Sequence, residues 1–248
     1  NWPRRKKYHI ISMASAFYIN LAKDVARKEL MESEFERTDL QVCRFEAWHP
    51  GTLQHRYTCT EKAKHSSSEE EISCFSSHID VFRLAKQNNP CTEGYVLIFE
   101  DDQVLKSKSI EKLDEVISTA PKDWEMLQLH HLRLDCRRKP PDYGRIINGN
   151  WVEWHKGYYS SAFYAVKNNV LPRLVQEFYD CSTNRFNFSS IDTGIQIDNV
   201  IYGRCKTYTS IHNFSSTNLH FKSNIQPTRQ DALIKDFETK SEGLHKCP

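Results

Sequence analysis

Apolar positions along this chain follow two rhythms, and the changes between them mark out its elements. After Glu69 they recur at Ile72, Phe75, Ile79 and Phe82. These spacings of three and four residues form one stripe along a helix. Ser68 with Glu71 three residues later is a capping box that predicts the start of this helix, and Asn88-Asn89-Pro90 predicts its end near Gln87. A second helical pattern covers residues 23–35, with Val25, Leu30 and Met31 apolar and Asp24 placed as N-cap. A third covers residues 107–119, carrying Ile110, Leu113, Val116 and Ile117 and stopped by Pro121. Between them lie strand-like runs: YHIISM and AFYINL near the start, LQVCRFEAW at 40–48, GYVLIF at 94–99, residues 124–132, and SSAFYAVKNN at 160–169. The last leads into a helix over 170–179. TGIQIDNVIYGRC and KTYTSIHNF predict one more helix and strand. The polar stretches at 49–68 and 135–150 read as loops, and periodicity is weak after Ser215. Strands alternate with helices, which predicts an α/β fold with at least part of its sheet parallel.

Composition changes this picture little. The chain has 248 residues, enough for one large or two small domains, and 39% are hydrophobic, so a substantial core is expected. The formal net charge of +2 is too even for a dedicated nucleic-acid binder. The cluster Arg4-Arg5-Lys6-Lys7 reads as a solvated tail. The segment after it is interrupted by His9, Ser12, Ser15 and Asn20 and falls short of the ~20 apolar residues of a spanning helix, so no transmembrane segment is expected. The eight cysteines are scattered without a C-x-x-C pair, which speaks against zinc and leaves disulfides open. Asn187 and Asn213 each begin a glycosylation sequon.

The chemistry concentrates at YVLIFEDDQVL, where an apolar strand runs straight into Glu100, Asp101 and Asp102. Two carboxylates about 4 Å apart repel by ~1 kcal/mol in water and by ~4 kcal/mol at an effective dielectric near 20. A cation relieves that repulsion, and hard divalent ions such as Mn²⁺ and Mg²⁺ take carboxylate oxygens and bridge to phosphates. On an extended backbone Glu100 and Asp102 face one way and Asp101 the other. The bland alternative is a solvated turn capping the next helix. In an open α/β sheet ligands bind beyond the carboxyl ends of the strands, where these acids stand.

CFSSHIDVFRLA followed by YVLIFEDDQVL resembles the core signature of glycosyltransferase family 25, with Cys74, Ser77-His78 and Glu100-Asp101-Asp102 as the matching residues. FYINLAKDVARKELM is similar to the family's opening strand and helix through Asn20 and Arg27, RFEAW to its next segment through Ala47, and IDNVIY to a late element through Asp198. The resemblance covers roughly residues 17–210. It implies a GT-A type nucleotide-binding α/β sandwich, with residues 1–16 an extension, 17–214 the catalytic domain and 215–248 a tail packed on it. It also implies inverting transfer of galactose or a similar hexose from a nucleotide sugar, expected to be UDP-linked, to a hydroxyl of a glycan or glycoprotein.

On that reading Glu100 and Asp102 hold Mn²⁺ or Mg²⁺, with His220 as a further ligand. Asn20, Arg27, Ala47, Ser77, His78 and Asp101 surround the donor. Asp198, with Asp192 second, is the base that deprotonates the acceptor. His130 and His131, adjacent on a strand, point opposite ways, so at most one serves the site. Trp151, Trp154, Tyr158 and Tyr159 form an aromatic cluster for the core or for stacking an acceptor sugar. A non-catalytic glycan- or nucleotide-sugar-binding module on the same fold is the alternative. A phosphoryl-transfer enzyme is disfavoured because no Gly-rich Lys loop is present. The compartment stays open between the cytoplasm and the Golgi or ER lumen.

Overall fold

The computed structural model describes residues 15–88, 92–133, 145–218 and 220–221. The YHIISM run and most of the 135–150 stretch lie outside these residues. Seven strands form the main sheet, in the order Val42–Glu46, Ser15–Asn20, Tyr95–Glu100, Phe163–Lys167, Met126–Gln128, Thr207–Ser210 and Trp151–Glu153. The first three are mutually parallel. Phe163–Lys167 runs against both of its neighbours, and Trp151–Glu153 runs against Thr207–Ser210. Met126–Gln128 and Thr207–Ser210 are parallel to each other. Five of the seven therefore share one direction, a mixed α/β fold with a large, mostly parallel sheet.

The Tyr95–Glu100 strand shows why its sequence is a continuous apolar run. Val96 and Ile98 enter the core on one face, with Phe75, Ile79 and Phe82 of the helix Glu69–Asn88. Leu97 and Phe99 enter the core on the other, with Met31 and Phe35 of the helix Val25–Glu36. Side chains alternate with period two, and both faces are covered, so both sets must be apolar. The same alternation divides Phe17 and Ile19 from Ala16 and Tyr18 on the adjacent strand.

The long helix begins as its capping box requires. The Glu71 amide donates to Ser68 Oγ at 3.1 Å, and the Ser68 amide donates to Glu71 Oε2 at 2.9 Å. Its stripe residues Ile72, Phe75, Ile79 and Phe82 are all buried. Asp24 occupies the N-cap position of Val25–Glu36 but makes no side-chain capping bond. From the end of that helix Glu34 Oε2 accepts the Leu105 amide at 2.7 Å, tying it to the chain just beyond the acids.

Three expected features differ. The stretch 49–68 is not one loop: it holds the short helices Pro50–Leu53 and Glu61–His65 and the strand Tyr57–Cys59. Leu53 and Ala63 anchor the two helices in the core, and His49 and Thr60 cap them. Anchors this sparse leave no period to read. The helix over 107–119 is two pieces, Ser107–Ile110 and Leu113–Ser118, with Ile110, Leu113 and Ile117 still buried together. The strand over 124–132 contributes only Met126–Gln128 to the sheet, and Leu132–Arg133 pairs separately with Tyr158–Tyr159. After Phe214, Ser215–Thr217 pairs with Gln103–Leu105, so this segment lies against the acid turn. Among the described residues no helix is long and apolar enough to cross a membrane.

Of the two sequon asparagines, Asn187 is exposed on the strand Arg185–Phe188. Asn213 instead clasps the His131 backbone, accepting from its amide at 2.8 Å and donating to its carbonyl at 2.9 Å.

Phe75 is fully buried, edge-on to both Phe178 and Phe188. In urea denaturation Phe75→Ala is expected to cost about 3–5 kcal/mol, against about 1 kcal/mol for Ser68→Ala, which removes only the cap. Equal losses would contradict this placement of the core.

Candidate functional site

At the carboxyl end of the Tyr95–Glu100 strand lies a cavity of about 410 Å³. Arg27, Ala47, Ser77, His78, Glu100, Asp101 and Asp102, all expected near the donor or the metal, line it. Sheet, helix and turn each supply part of it. Ala47 follows the edge strand and is held by its amide to the Asn20 carbonyl at 2.9 Å. Ser77 is not free: its hydroxyl donates to the Ser73 carbonyl at 2.8 Å and accepts the Trp48 amide at 2.9 Å, which fixes the Trp48 wall.

The three acids are held in three different ways. Extended backbone ends at Glu100, and the chain turns at residues 101–102. The reading of Glu100 and Asp102 as strand neighbours on one side therefore rests on a geometry the chain does not keep, although both reach the same cavity. Asp101 is buried and compensated. Arg27 Nη1 donates to its Oδ1 at 2.7 Å and Asn20 Nδ2 to its Oδ2 at 2.7 Å. Arg44 in turn donates to Asn20 Oδ1 at 2.9 Å, fixing the amide's orientation. Burial still outweighs these partners and leaves the Asp101 carboxyl above its ordinary range.

Glu100 accepts the Ser161 hydroxyl at 2.6 Å and stands 3.5 Å from His78 Nε2. Burial pushes its carboxyl up, but His78 and Ser161 prevail and hold it below its ordinary value, so it stays ionised. Among the described residues the Asp102 carboxylate accepts one side-chain bond, from Gln103 at 2.7 Å. Burial, and then the charge on Glu100, raise it to about 6. Asp102 thus carries the least compensated charge of the turn, and together with Glu100 it offers a donor set that fits a hard divalent cation.

Asn20 stands one shell behind the cavity. Asp198 is half-buried near the amino end of the helix Ile197–Arg204 and does not line the cavity. Its Oδ2 accepts the Ser160 amide at 3.0 Å, and its Oδ1 accepts the Asn199 amide. Burial raises its carboxyl above the ordinary range, with the charge on Glu100 adding to the shift. Asp192 lies exposed on the surface and outside the cavity. His220 is exposed and also outside it. Its segment is nonetheless held at the acid turn, because the Asn218 amide donates to the Asp102 carbonyl at 2.7 Å and the Phe221 ring covers the Arg27 guanidinium at 5.4 Å. Trp151 and Tyr158 are fully buried core residues, while Trp154 is partly exposed.

Ser160 joins the two halves of the site, and the sequence reading passed over it. Its φ of 110° lies in the left-handed region. Its amide holds Asp198, its hydroxyl lies 2.9 Å from His130 Nδ1, and its carbonyl accepts from Gln128 and Tyr202. The next residue, Ser161, holds Glu100. Burial lowers His130 to about 4 against the pull of Glu100's charge, so its ring is neutral here. His131 packs edge-on to Tyr158. No glycine marks the strained position, and its partners come from distant segments, so no local signal could have found it.

Comparison with known proteins adds the following. The family model described as glycosyltransferase family 25 (LPS biosynthesis protein) matches residues 13–177. No curated protein matches. Among solved structures the chain is similar to the crystal structure of a glycosyltransferase involved in the glycosylation of the major capsid of PBCV-1, at 15% identity and a TM-score of 0.36. That similarity covers 65% of this chain and 63% of that one, so the chain spans less than two thirds of its length.

Two measurements check this geometry. Ser160→Gly and Ser160→Ala both lose the hydroxyl, but only alanine keeps the strain. The glycine variant is expected to be the more stable by about 1–2 kcal/mol in chemical denaturation; a more stable alanine variant would remove the strain argument. Asp102→Asn is expected to raise the melting temperature above pH 6. The folded carboxyl titrates near 6 and the unfolded one at its ordinary 3.8, so the charge penalty is full above the first value and absent below the second. The gain therefore shrinks as pH falls between them, and a pH-independent gain would contradict the assignment.

Proposed function

The chain belongs to glycosyltransferase family 25, and from that premise we propose that it moves a hexose from a nucleotide-diphosphate sugar to a hydroxyl of a glycan or glycoprotein. Galactose or a similar hexose on UDP is the donor in this reading, and transfer inverts the anomeric centre. The observation that carries the proposal is the Glu100–Asp102 pair: two carboxylates with unrelieved mutual repulsion, opening on a cavity at the carboxyl end of a central parallel strand. This reading takes the fold as a GT-A type sandwich with residues 17–214 as the catalytic unit and 215–248 as a tail, and the pairing of Ser215–Thr217 with Gln103–Leu105 beside the acid turn supports it.

The chain's own residues divide the work. Glu100 and Asp102 would hold Mn²⁺ or Mg²⁺, and such an ion, when bound, neutralises charge on the departing diphosphate. Asp101, on the same wall, fixes Arg27 there, and the guanidinium adds positive charge for phosphate oxygens. Lys23 stands on the same rim. Ala47 and the pinned Trp48 shape the opposite wall, and the small Ala47 side chain leaves room for a base or ribose. Asp198 accepts the acceptor's proton. Its raised proton affinity suits a base, and its anchoring by the Ser160 amide sets it beside the residue that holds Glu100. Asp192, solvated and distant from the cavity lining, stands second for that role. His220 is carried on the segment bonded to the Asp102 carbonyl, where it can serve as a further ligand.

The test is release of nucleoside diphosphate from a panel of nucleotide sugars with Mn²⁺ and glycan acceptors. Asp198→Asn is expected to lower kcat by about 10²–10⁴-fold with a smaller change in donor KM, and Asp102→Asn to abolish transfer while the protein stays folded. Donor-induced thermal stabilisation without any release would favour a binding module instead. Full turnover by Asp102→Asn would remove the basis of the assignment.

A further inference from the structure

Cys74 and His78 are four residues apart on the helix Glu69–Asn88 and so share one side of it. Glu100 ends the neighbouring strand. The Cys74 sulfur, a His78 ring nitrogen and a Glu100 carboxylate oxygen all lie within 4.8 Å of one another. His78 is fully buried, yet among the described residues its Nε2 has no hydrogen-bond partner. At 3.5 Å from Glu100 Oε1 it is an electrostatic neighbour without hydrogen-bond geometry. Its other nitrogen lies 2.8 Å from the Tyr164 hydroxyl, which sets the ring's orientation, as an outer partner does for a metal-ligating histidine. Buried polar atoms without partners are uncommon and call for an explanation. All three residues also line the 410 Å³ cavity, which supplies an entry path.

We propose that Cys74, His78 and Glu100 form a binding site for one thiophilic divalent cation, Zn²⁺ or Co²⁺, with a fourth position open to the cavity. Sulfur, imidazole and carboxylate are a zinc-type ligand set, whereas Mg²⁺ and Mn²⁺ prefer oxygen. Bonds of about 2.0–2.3 Å place tetrahedral ligand atoms roughly 3.3–3.8 Å apart, so the cluster closes by about 1 Å through side-chain rotation. On binding, the Cys74 S–H bond breaks, its proton passes to solvent, and the thiolate lone pair forms the bond to the ion. No oxidation state changes. Glu100 is common to this site and to the Glu100–Asp102 pair, so a thiophilic ion excludes a hard one. That last consequence rests on the function proposed above, whereas the site itself does not.

The experiment is a Co²⁺ titration of the full chain, read by the near-ultraviolet thiolate-to-cobalt charge-transfer band. The expected result is one equivalent of Co²⁺ with this band, displaced by Zn²⁺. Cys74→Ser is expected to abolish the band, Asp102→Asn to leave it unchanged, and Tyr164→Phe to weaken Co²⁺ binding by about 10–100-fold while keeping it. No band in the wild type, or a band that survives Cys74→Ser, overturns the site. If Mn²⁺-dependent transfer is seen and the band is not, the inference fails and the glycosyltransferase reading stands. If the band is seen and no donor is turned over, the reading fails and the site stands.

Discussion

Three negative charges at the tip of a strand buried on both faces are the constraint around which the molecule is arranged. Water cannot screen them well there, so each has to be answered by the chain itself or left at a cost. Asp101 is answered by a guanidinium and an amide from the first strand and its helix. Glu100 is answered by a hydroxyl and an imidazole from the opposite side of the sheet. Asp102 receives one side-chain amide and stays electrostatically unfavourable. Folding therefore satisfies two of the three and leaves the third with an unmet demand for positive charge.

The surrounding elements make sense as supports for that arrangement. Glu34 ties the helix Val25–Glu36 to the backbone just past the acids, and the Ser215–Thr217 strand closes on the same backbone from the other side. Ser160 holds the Asp198 carboxylate while its neighbour holds that of Glu100, so backbone strain at one residue sets the relation between the two. Strain of this kind persists only where several contacts over-determine it, as the Gln128, His130 and Tyr202 contacts do here.

Much of this fold is legible in the sequence. The alternation through Tyr95–Glu100 and its abrupt change to acids identified a central strand and the end at which the cavity lies, because burial on both faces leaves no polar positions to blur the pattern. The capping box and stripe of the long helix were equally plain. What stayed hidden depended on distant partners or on few residues. Leu53 and Ala63 each anchor a helix of one turn, too short to show a period. The turn at 101–102 takes Asp102 off the extended backbone that the reading assumed, although Glu100 and Asp102 still line the same cavity. The Cys74–His78–Glu100 cluster combines one helical spacing with a residue from another strand, a pattern that a search for C-x-x-C pairs does not detect.

The clasp between Asn213 and the His131 backbone bears on how the polypeptide matures. The Asn213 Nδ2 donates to a main-chain carbonyl in the folded chain, so an oligosaccharide on that nitrogen would compete with the clasp for space. Asn187 projects into solvent from its strand and stays open. A sugar tree would therefore leave the fold undisturbed at Asn187 and would crowd a tertiary contact at Asn213, so the two sequons differ in what their modification would do to the folded chain.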